Sequence, residues 1–222
     1  MGRKKTVLSW STGKDSAWAL HVLRADPSVE VVGLVSVLNS RYDRVSMHST
    51  RRRLLELQAE AADLPLEVIL LPDPCSNEEC DSIMARYVHT AAGRRIEQFA
   101  FGDIFLEDVR RYRERQLAGT GIAPVFPLWG RKTHELAHEM LDAGVKARIS
   151  CLDPRRLPRS LAGRVWRRSL LAGLPGSCDP CGENGEFHTV VTDGPMFRRP
   201  IRVRVGRVVE RSGFVFADII PA

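Results

Sequence analysis

The sequence has no apolar run of the ~18 residues that a membrane span requires; its best, Val31 to Leu38, is far too short. A transmembrane protein is not expected. It also shows no secretory signal pattern, because the basic Arg3-Lys4-Lys5 is followed by only Thr6-Val7-Leu8 before the polar Ser9. The expected location is the cytoplasm. With 44% hydrophobic residues among 222, it is not poor enough in apolar side chains to be disordered, and it has no internal repeat or low-complexity segment. Its cysteines number five, an odd count that argues against a disulfide framework. Acid is in deficit: 33 Lys and Arg face 27 Asp and Glu, a formal charge of +6. The surplus is scattered in short clusters such as Arg51-Arg52-Arg53, Arg110-Arg111 and Arg167-Arg168, so a small phosphate-bearing ligand is preferred over nucleic acid.

Short apolar runs alternate with amphipathic segments through the first half. Thr6 to Leu8, Val29 to Leu38, Leu66 to Leu71 and Gln98 to Phe101 read as strands, and Lys14 to Arg24, Ser49 to Ala62, Asn77 to Ala92 and Phe105 to Leu117 as helices. Val31-Val32-Gly33-Leu34-Val35 is apolar on both faces, which fits a parallel strand covered by helices on both sides. The expected fold class is α/β, a doubly wound, Rossmann-like parallel sheet over residues 1–123. Gly119 to Pro124 reads as a loop and a candidate boundary. Beyond it come a helix at Lys132 to Ala143, a strand at Val145 to Ser150 and a short helix near Arg164 to Ala172. Strands at Phe187 to Thr192, Ile201 to Val205 and Phe214 to Ile219, joined by Gly-containing turns, complete a smaller α+β domain over 124–222. That domain is expected to recognise the substrate.

Ser9-Trp10-Ser11-Thr12-Gly13-Lys14-Asp15-Ser16 follows the first strand and opens the first helix. There, free backbone N–H groups and the positive helix end favour an anion. Ser11, Thr12 and Ser16 add hydroxyls, Gly13 permits close approach and Lys14 supplies a cation. The stretch is not a Walker A loop, which needs Gly where Leu8 stands and Ser or Thr where Asp15 stands. A carboxylate beside phosphates suggests Mg²⁺ or a backbone cap. The alternative is a simple strand-to-helix turn with Lys14 and Asp15 as a solvated pair. The second unusual stretch runs from Cys178 to Thr189, in which Cys181-Gly182-Glu183-Asn184-Gly185-Glu186 places two acids around glycines before a strand. Such acids could bind Mg²⁺, orient an amine or act as a base; the alternative is a loop with exposed acids.

Ser11 to Ser16 resembles the SGGxDS pyrophosphate loop of the ATP pyrophosphatases, with Thr12 in place of the second residue, Gly. With the CGEGGE-type motif at Cys181 to Glu186, in which Asn184 replaces a common Gly, the chain resembles the diphthine-ammonia ligase family. Phe101-Gly102-Asp103 with the helix from Glu107 to Glu114, Pro127-Leu128-Trp129 and Gly144 to Ala147 extend the match over nearly the whole chain. The resemblance implies that a substrate carboxylate attacks the α-phosphate of ATP, releasing pyrophosphate, and that ammonia then displaces AMP to give an amide. On this basis ATP and Mg²⁺ are the expected cofactors, with no structural metal. Ser9, Ser11, Thr12, Gly13, Lys14, Asp15 and Ser16 would hold the phosphates, and Asp15 and Asp103 would meet the Mg²⁺. Gly102 and Asp103, ending a strand, and Ser36, Val37 and His48 would line the nucleotide site, with Met47 beside His48 closing over the base. Cys181, Gly182, Glu183, Asn184, Gly185, Glu186 and Trp129 would bind acceptor or ammonia. The catalytic set is Lys14, Asp15, Glu183 and Glu186.

Diphthine is a modified histidine of elongation factor 2 in eukaryotes and archaea, whereas an Arg-rich chain this short resembles a bacterial branch, whose acceptor would be another carboxylate. Membrane contact is not expected; the oligomeric state is left open, with a homodimer among the options. Two other readings compete: tRNA thiolation by an ATP pyrophosphatase, and a non-catalytic ATP-binding module. Cys178 and Cys181 could be half of a metal or sulfur site completed by Cys75 and Cys80, but reduced thiols are the simpler reading. His134 and His138, four apart on a helix, lack the HExxH order and read as a solvated face.

Overall fold

The computed structural model describes residues 2–46 and 48–222. The first half runs β1 (Lys4–Ser9), α1 (Lys14–Ala25), β2 (Val29–Asn39), β3 (Arg44–Val45), α2 (Arg52–Ala62), β4 (Leu66–Leu71), α3 (Asn77–Gly93), β5 (Gln98–Ala100), α4 (Glu107–Leu117) and β6 (Ala123–Val125). Four parallel pairings make a sheet in the order β4-β2-β1-β5-β6, with β3 antiparallel on the end of β2. From β1 the chain winds outward first through β2 and β4, then on the other side through β5 and β6. The reversal lies between β1 and β5, and a crevice opens outside their carboxyl ends.

The sheet is apolar on both faces because helices cover both: Leu8 and Leu34 are fully buried on one, Val7 and Val35 on the other. α3 begins where the Ser76 hydroxyl accepts from the Glu79 amide at 3.2 Å, satisfying one of the helix's unpaired first-turn donors. α2 starts at Arg52, later than the Ser49 read from periodicity. Ser49 is in the left-handed region (φ 55°), and Arg51 bridges Arg44 in extended conformation.

The second half runs α5 (Thr133–Asp142), β7 (Lys146–Leu152), β8 (Val165–Trp166), α6 (Arg168–Leu171), β9 (Phe187–Asp193), β10 (Val203–Arg211) and β11 (Phe214–Pro221). Its antiparallel sheet centres on β7, which pairs with β9 along one side and with β8 and β11 on the other. β10 and β11 form a hairpin closed by Ser212 (φ 51°) and Gly213 (φ 79°), two positive-φ positions of the kind that match strand twist.

Three local expectations change. Gly119 to Pro124 does not end as loop: Ala123-Pro124-Val125 is β6, the outer strand of the parallel sheet, where the missing Pro N–H is tolerated. The helix expected near Arg164 is only α6, since Val165 and Trp166 pair with β7. Cys75 and Cys80 are joined by a disulfide five residues apart, leaving Cys151, Cys178 and Cys181 free.

A single core runs through both halves, packing Leu8, Trp10 and Leu34 together with Ile149, Trp166, Phe187 and Val215. Trp10 and Trp166 are each 1% exposed; burying about 200 Å² of such a side chain is worth about 5 kcal/mol in transfer free energy. Among the described residues no helix is long and apolar enough to cross a membrane.

Candidate active site

The crevice outside β1 and β5 is a cleft of about 520 Å³ walled by both halves. Ser9, Ser11, Lys14, Asp15 and Ser16 come from the end of β1 and the start of α1, Gly102 and Asp103 from the end of β5, and Cys181, Gly182 and Glu183 from the second half. Gly102 makes this convergence possible: a Cβ there would lie 2.9 Å from the Ser16 amide nitrogen and 3.0 Å from the Asp15 carbonyl carbon. The β5 loop thus rests directly on the first turn of α1. The hydroxyls of Ser11 and Ser16 share a hydrogen bond of 3.1 Å, and Ser16 donates to the Gly13 carbonyl at 3.0 Å.

Thr12 does not face the cleft. Its backbone is in the left-handed region (φ 74°), which explains why Gly is usual at the corresponding position of the motif it resembles, and its buried hydroxyl bonds Thr50 at 2.8 Å. Buried Gln58 fixes this turn, donating to the Thr12 carbonyl at 3.0 Å and the Val191 carbonyl at 2.7 Å while accepting from the Trp10 indole at 2.9 Å. The Val191 amide also donates to the Thr12 carbonyl at 3.0 Å, and the Lys14 amide to the Thr189 hydroxyl at 3.1 Å. The phosphate loop is therefore buttressed by β9.

Lys14 is placed differently from the sequence expectation. Its side chain is 2% exposed and its ammonium donates to both Asp15 oxygens, at 2.9 and 2.8 Å, and to the Cys181 carbonyl. An ammonium has three donors, so none is left for phosphate in this arrangement. Burial disfavours its charge, but the neighbouring groups, Asp15 foremost, together outweigh that and hold its pKa above the ordinary range. The rings of Phe187 and Trp166 lie 5.5 and 5.8 Å away. Lys14 ties the loop to the second motif.

That motif is built around two carboxylates with different tasks. Asp179 accepts from the amides of Cys181 (2.9 Å) and Glu183 (3.2 Å), and Gly182 turns with φ 70°, where a Cβ would meet the Phe187 carbonyl at 2.6 Å. The turn aims Glu183 into the cleft, where its Oε1 accepts from the Ile104 amide at 2.7 Å. Burial, with added repulsion from Asp15 and Asp103, pushes its carboxyl up to about 7. Glu186 is instead fully buried beneath the loop, accepting from the Asp179 amide at 3.0 Å, from Asn184 at 3.3 Å and from Arg156 at 3.4 Å. It does not line the cleft where acceptor or ammonia was expected to meet it. Asn184 and Gly185 also lie outside the cleft, as does Trp129, which packs on Phe126 with Arg110 4.7 Å above its ring.

On the nucleotide side, Val37 lines the cleft but Ser36 does not, because successive strand residues face opposite ways; Val35, two before Val37, does. Phe99, Phe101, Leu71 and Met84 complete an apolar wall. His48 lines the cleft and donates through Nδ1 to the Thr189 carbonyl at 3.2 Å, with the tilted ring of His188 4.6 Å away. Burial keeps both imidazoles neutral, His188 down to about 4, helped by the charge of Lys14. Met47 lies outside the described residues. His134 and His138 sit together on α5, away from the cleft.

For Mg²⁺ the two expected carboxylates differ. Asp15 gives both oxygens to Lys14, whereas Oδ2 of Asp103 is buried with no hydrogen-bond partner among the described residues. A Mg²⁺ carried by a nucleotide takes most ligands from phosphate and water and needs one or two carboxylates. Asp103 fits that need and Asp15 does not. Among the described residues, no cluster of three or more His, Cys, Asp and Glu side chains could hold a metal on its own.

Sequence reasoning overlooked the α4 face. Leu106, Val109, Arg113 and Gln116 all line the cleft, and their spacing of three and four was readable as one helical stripe.

A strand-to-helix anion loop at the switch point of a doubly wound sheet, roofed by an acid-bearing loop from a second sheet, defines a nucleotide-binding α/β protein of the ATP pyrophosphatase type. The family described as diphthamide synthase N-terminal domain matches residues 4–123, and that described as diphthamide synthase C-terminal domain matches 132–219. The chain belongs to the diphthamide synthase family. Among similar proteins, diphthine–ammonia ligases of Rattus norvegicus and Homo sapiens are each 25% identical, and that of Bos taurus 26%; each comparison covers 94% of this chain and 86% of the relative.

Proposed function

We propose that the chain is an ATP-dependent ligase that adenylates a substrate carboxylate and converts the adenylate to an amide with ammonia. A carboxylate oxygen attacks the α-phosphorus of ATP and the α–β bridge breaks, giving an acyl-adenylate and pyrophosphate. Ammonia then attacks the acyl carbon, AMP leaves with the electron pair, and the surplus proton is given up. Residues 1–123 supply the nucleotide site and 124–222 the acceptor side. Ser9, Ser11 and Ser16 bind the departing pyrophosphate; Val35, Val37 and Phe99 take the base. Mg²⁺ neutralises phosphate charge when bound, and Asp103 would hold it. The relatives' name joins diphthine to ammonia; for this chain the acceptor is a carboxylate able to reach Glu183.

The observation that supports this reading is Glu183, a cleft carboxyl with a pKa of about 7 facing the phosphate loop. Ammonium must lose a proton before it can attack, and a group that titrates near neutrality suits that transfer. A thiolation enzyme would need an ionisable cysteine here, yet burial pushes the thiol of Cys178 up to about 12 and raises that of Cys181. The test is AMP and pyrophosphate release from ATP with Mg²⁺, ammonium and a panel of carboxylates, with Asp15→Ala as the inactive control. Release that depends on both acceptor and ammonium is expected. ATP binding with no turnover across the panel would instead identify a binding module.

A further inference from the structure

The cleft has a charge problem that its phosphate loop does not solve. Its wall carries three carboxylates, Asp15, Asp103 and Glu183, against two permanent cations, Lys14 and Arg113. Lys14 is cancelled by Asp15 at 2.8 Å and has no donor to spare. Arg113, from the middle of α4, is in the opposite condition. Its guanidinium carbon stands 5.0 Å from the centre of the Phe101 ring and 5.7 Å from that of Tyr112, within cation–π range of both. Its nearest carboxylate oxygen, Oδ2 of Asp103, is 3.9 Å from Nε, beyond hydrogen-bonding distance, and both atoms are buried without a partner among the described residues. The side chain is 29% exposed and lines the cleft. The contrast with Arg110, one turn earlier on α4, is informative: that guanidinium is neutralised by Glu114 at 2.8 Å.

We propose that Arg113 is the cation that binds the phosphate oxygens of the nucleotide, with Asp103 and Phe101 orienting its guanidinium toward them. A planar fork of donors matches two oxygens of one phosphate, a fit that a lysine lacks. Anchoring on Phe101 means that little side-chain freedom is lost on binding. This rests on the nucleotide reading above and assigns the phosphate countercharge to α4 instead of to the loop lysine.

The experiment is calorimetric titration of the full chain with ATP and, separately, adenosine, for wild type, Arg113→Gln and Arg113→Lys. Loss of charge-assisted hydrogen bonds predicts ATP binding weakened about 10- to 100-fold in Arg113→Gln, with adenosine affinity unchanged. Arg113→Lys should recover part of the loss. Wild-type ATP affinity in Arg113→Gln would overturn the proposal, and so would equal losses for ATP and adenosine, which would mark a purely structural role. Failure of the wild type to bind ATP would bring down the nucleotide reading itself, a different outcome from either.

Discussion

Replacing Glu183 with Gln should make the protein more stable at neutral pH, by an amount that depends on pH in a defined way. The folded carboxyl titrates at about 7 against an ordinary value of 4.5, because burial and the neighbouring Asp15 and Asp103 disfavour its ionised form. Below pH 4.5 it is protonated in both folded and unfolded chains and makes no pH-dependent difference. Between 4.5 and about 7 the unfolded chain releases a proton that the folded chain retains, so stability falls as pH rises; above about 7 the loss is complete. At 1.36 kcal/mol per pH unit the total is about 3 kcal/mol. Gln keeps an oxygen for the Ile104 amide, 2.7 Å away in the wild type, and can donate to the carboxylates that repelled Glu183. The variant's advantage should therefore grow from near zero at pH 4.5 to about 3 kcal/mol above pH 7, raising Tm by about 6–12 °C in a chain of this size. Urea unfolding of both proteins from pH 4.5 to 8.5, without nucleotide or divalent cation, measures the difference directly and cancels the titrating groups that do not interact with Glu183. A difference that stays flat across this range would refute the account of Glu183. The same variant should lose amide formation while still binding ATP.

Gly102→Ala places a methyl 2.9 Å from the Ser16 nitrogen, a backbone atom that cannot swing aside; we expect about 1–3 kcal/mol of destabilisation and weaker ATP binding, read by thermal melts and titration. At Thr12 (φ 74°), Thr12→Ala removes the Thr50 hydrogen bond but keeps the strained backbone, costing about 1 kcal/mol, whereas Thr12→Gly relaxes the backbone and should be the more stable of the two. A Thr12→Ala protein as stable as Thr12→Gly would show that the turn is not strained.

The features that could be read in advance were those decided locally. The phosphate loop follows from a strand, a run of small hydroxyl residues and a helix start within a dozen positions, and the parallel sheet from strands apolar on both faces. What escaped was decided by residues far away in the chain. Beyond the neighbouring Asp15, Lys14 is held by a carbonyl 167 positions later, so nothing near Lys14 announces that its last donor is already used. Glu183 and Glu186 look equivalent in sequence, and the left-handed turns at Gly182 and Gly185 send one into the cleft and the other beneath the loop. Pro124 disguised β6, because a proline is excluded from inner strands but not from the outermost one. Ser36 was misassigned by a single position, which in a strand reverses the face.

The hydrogen bonds that Thr12 receives from Gln58 and from the Val191 amide give the phosphate loop a dependence that its position near the N-terminus conceals. Its shape is written in two places, and one of them is on the far side of the chain. A nascent polypeptide that has produced the whole parallel sheet still lacks β9, so its nucleotide site is completed only once the second half has been made. Evolution, likewise, is not free to trade the acceptor half for another as a module: any replacement has to bring a strand that clasps Thr12 and a carbonyl that receives Lys14, or the first half loses its ligand together with its partner.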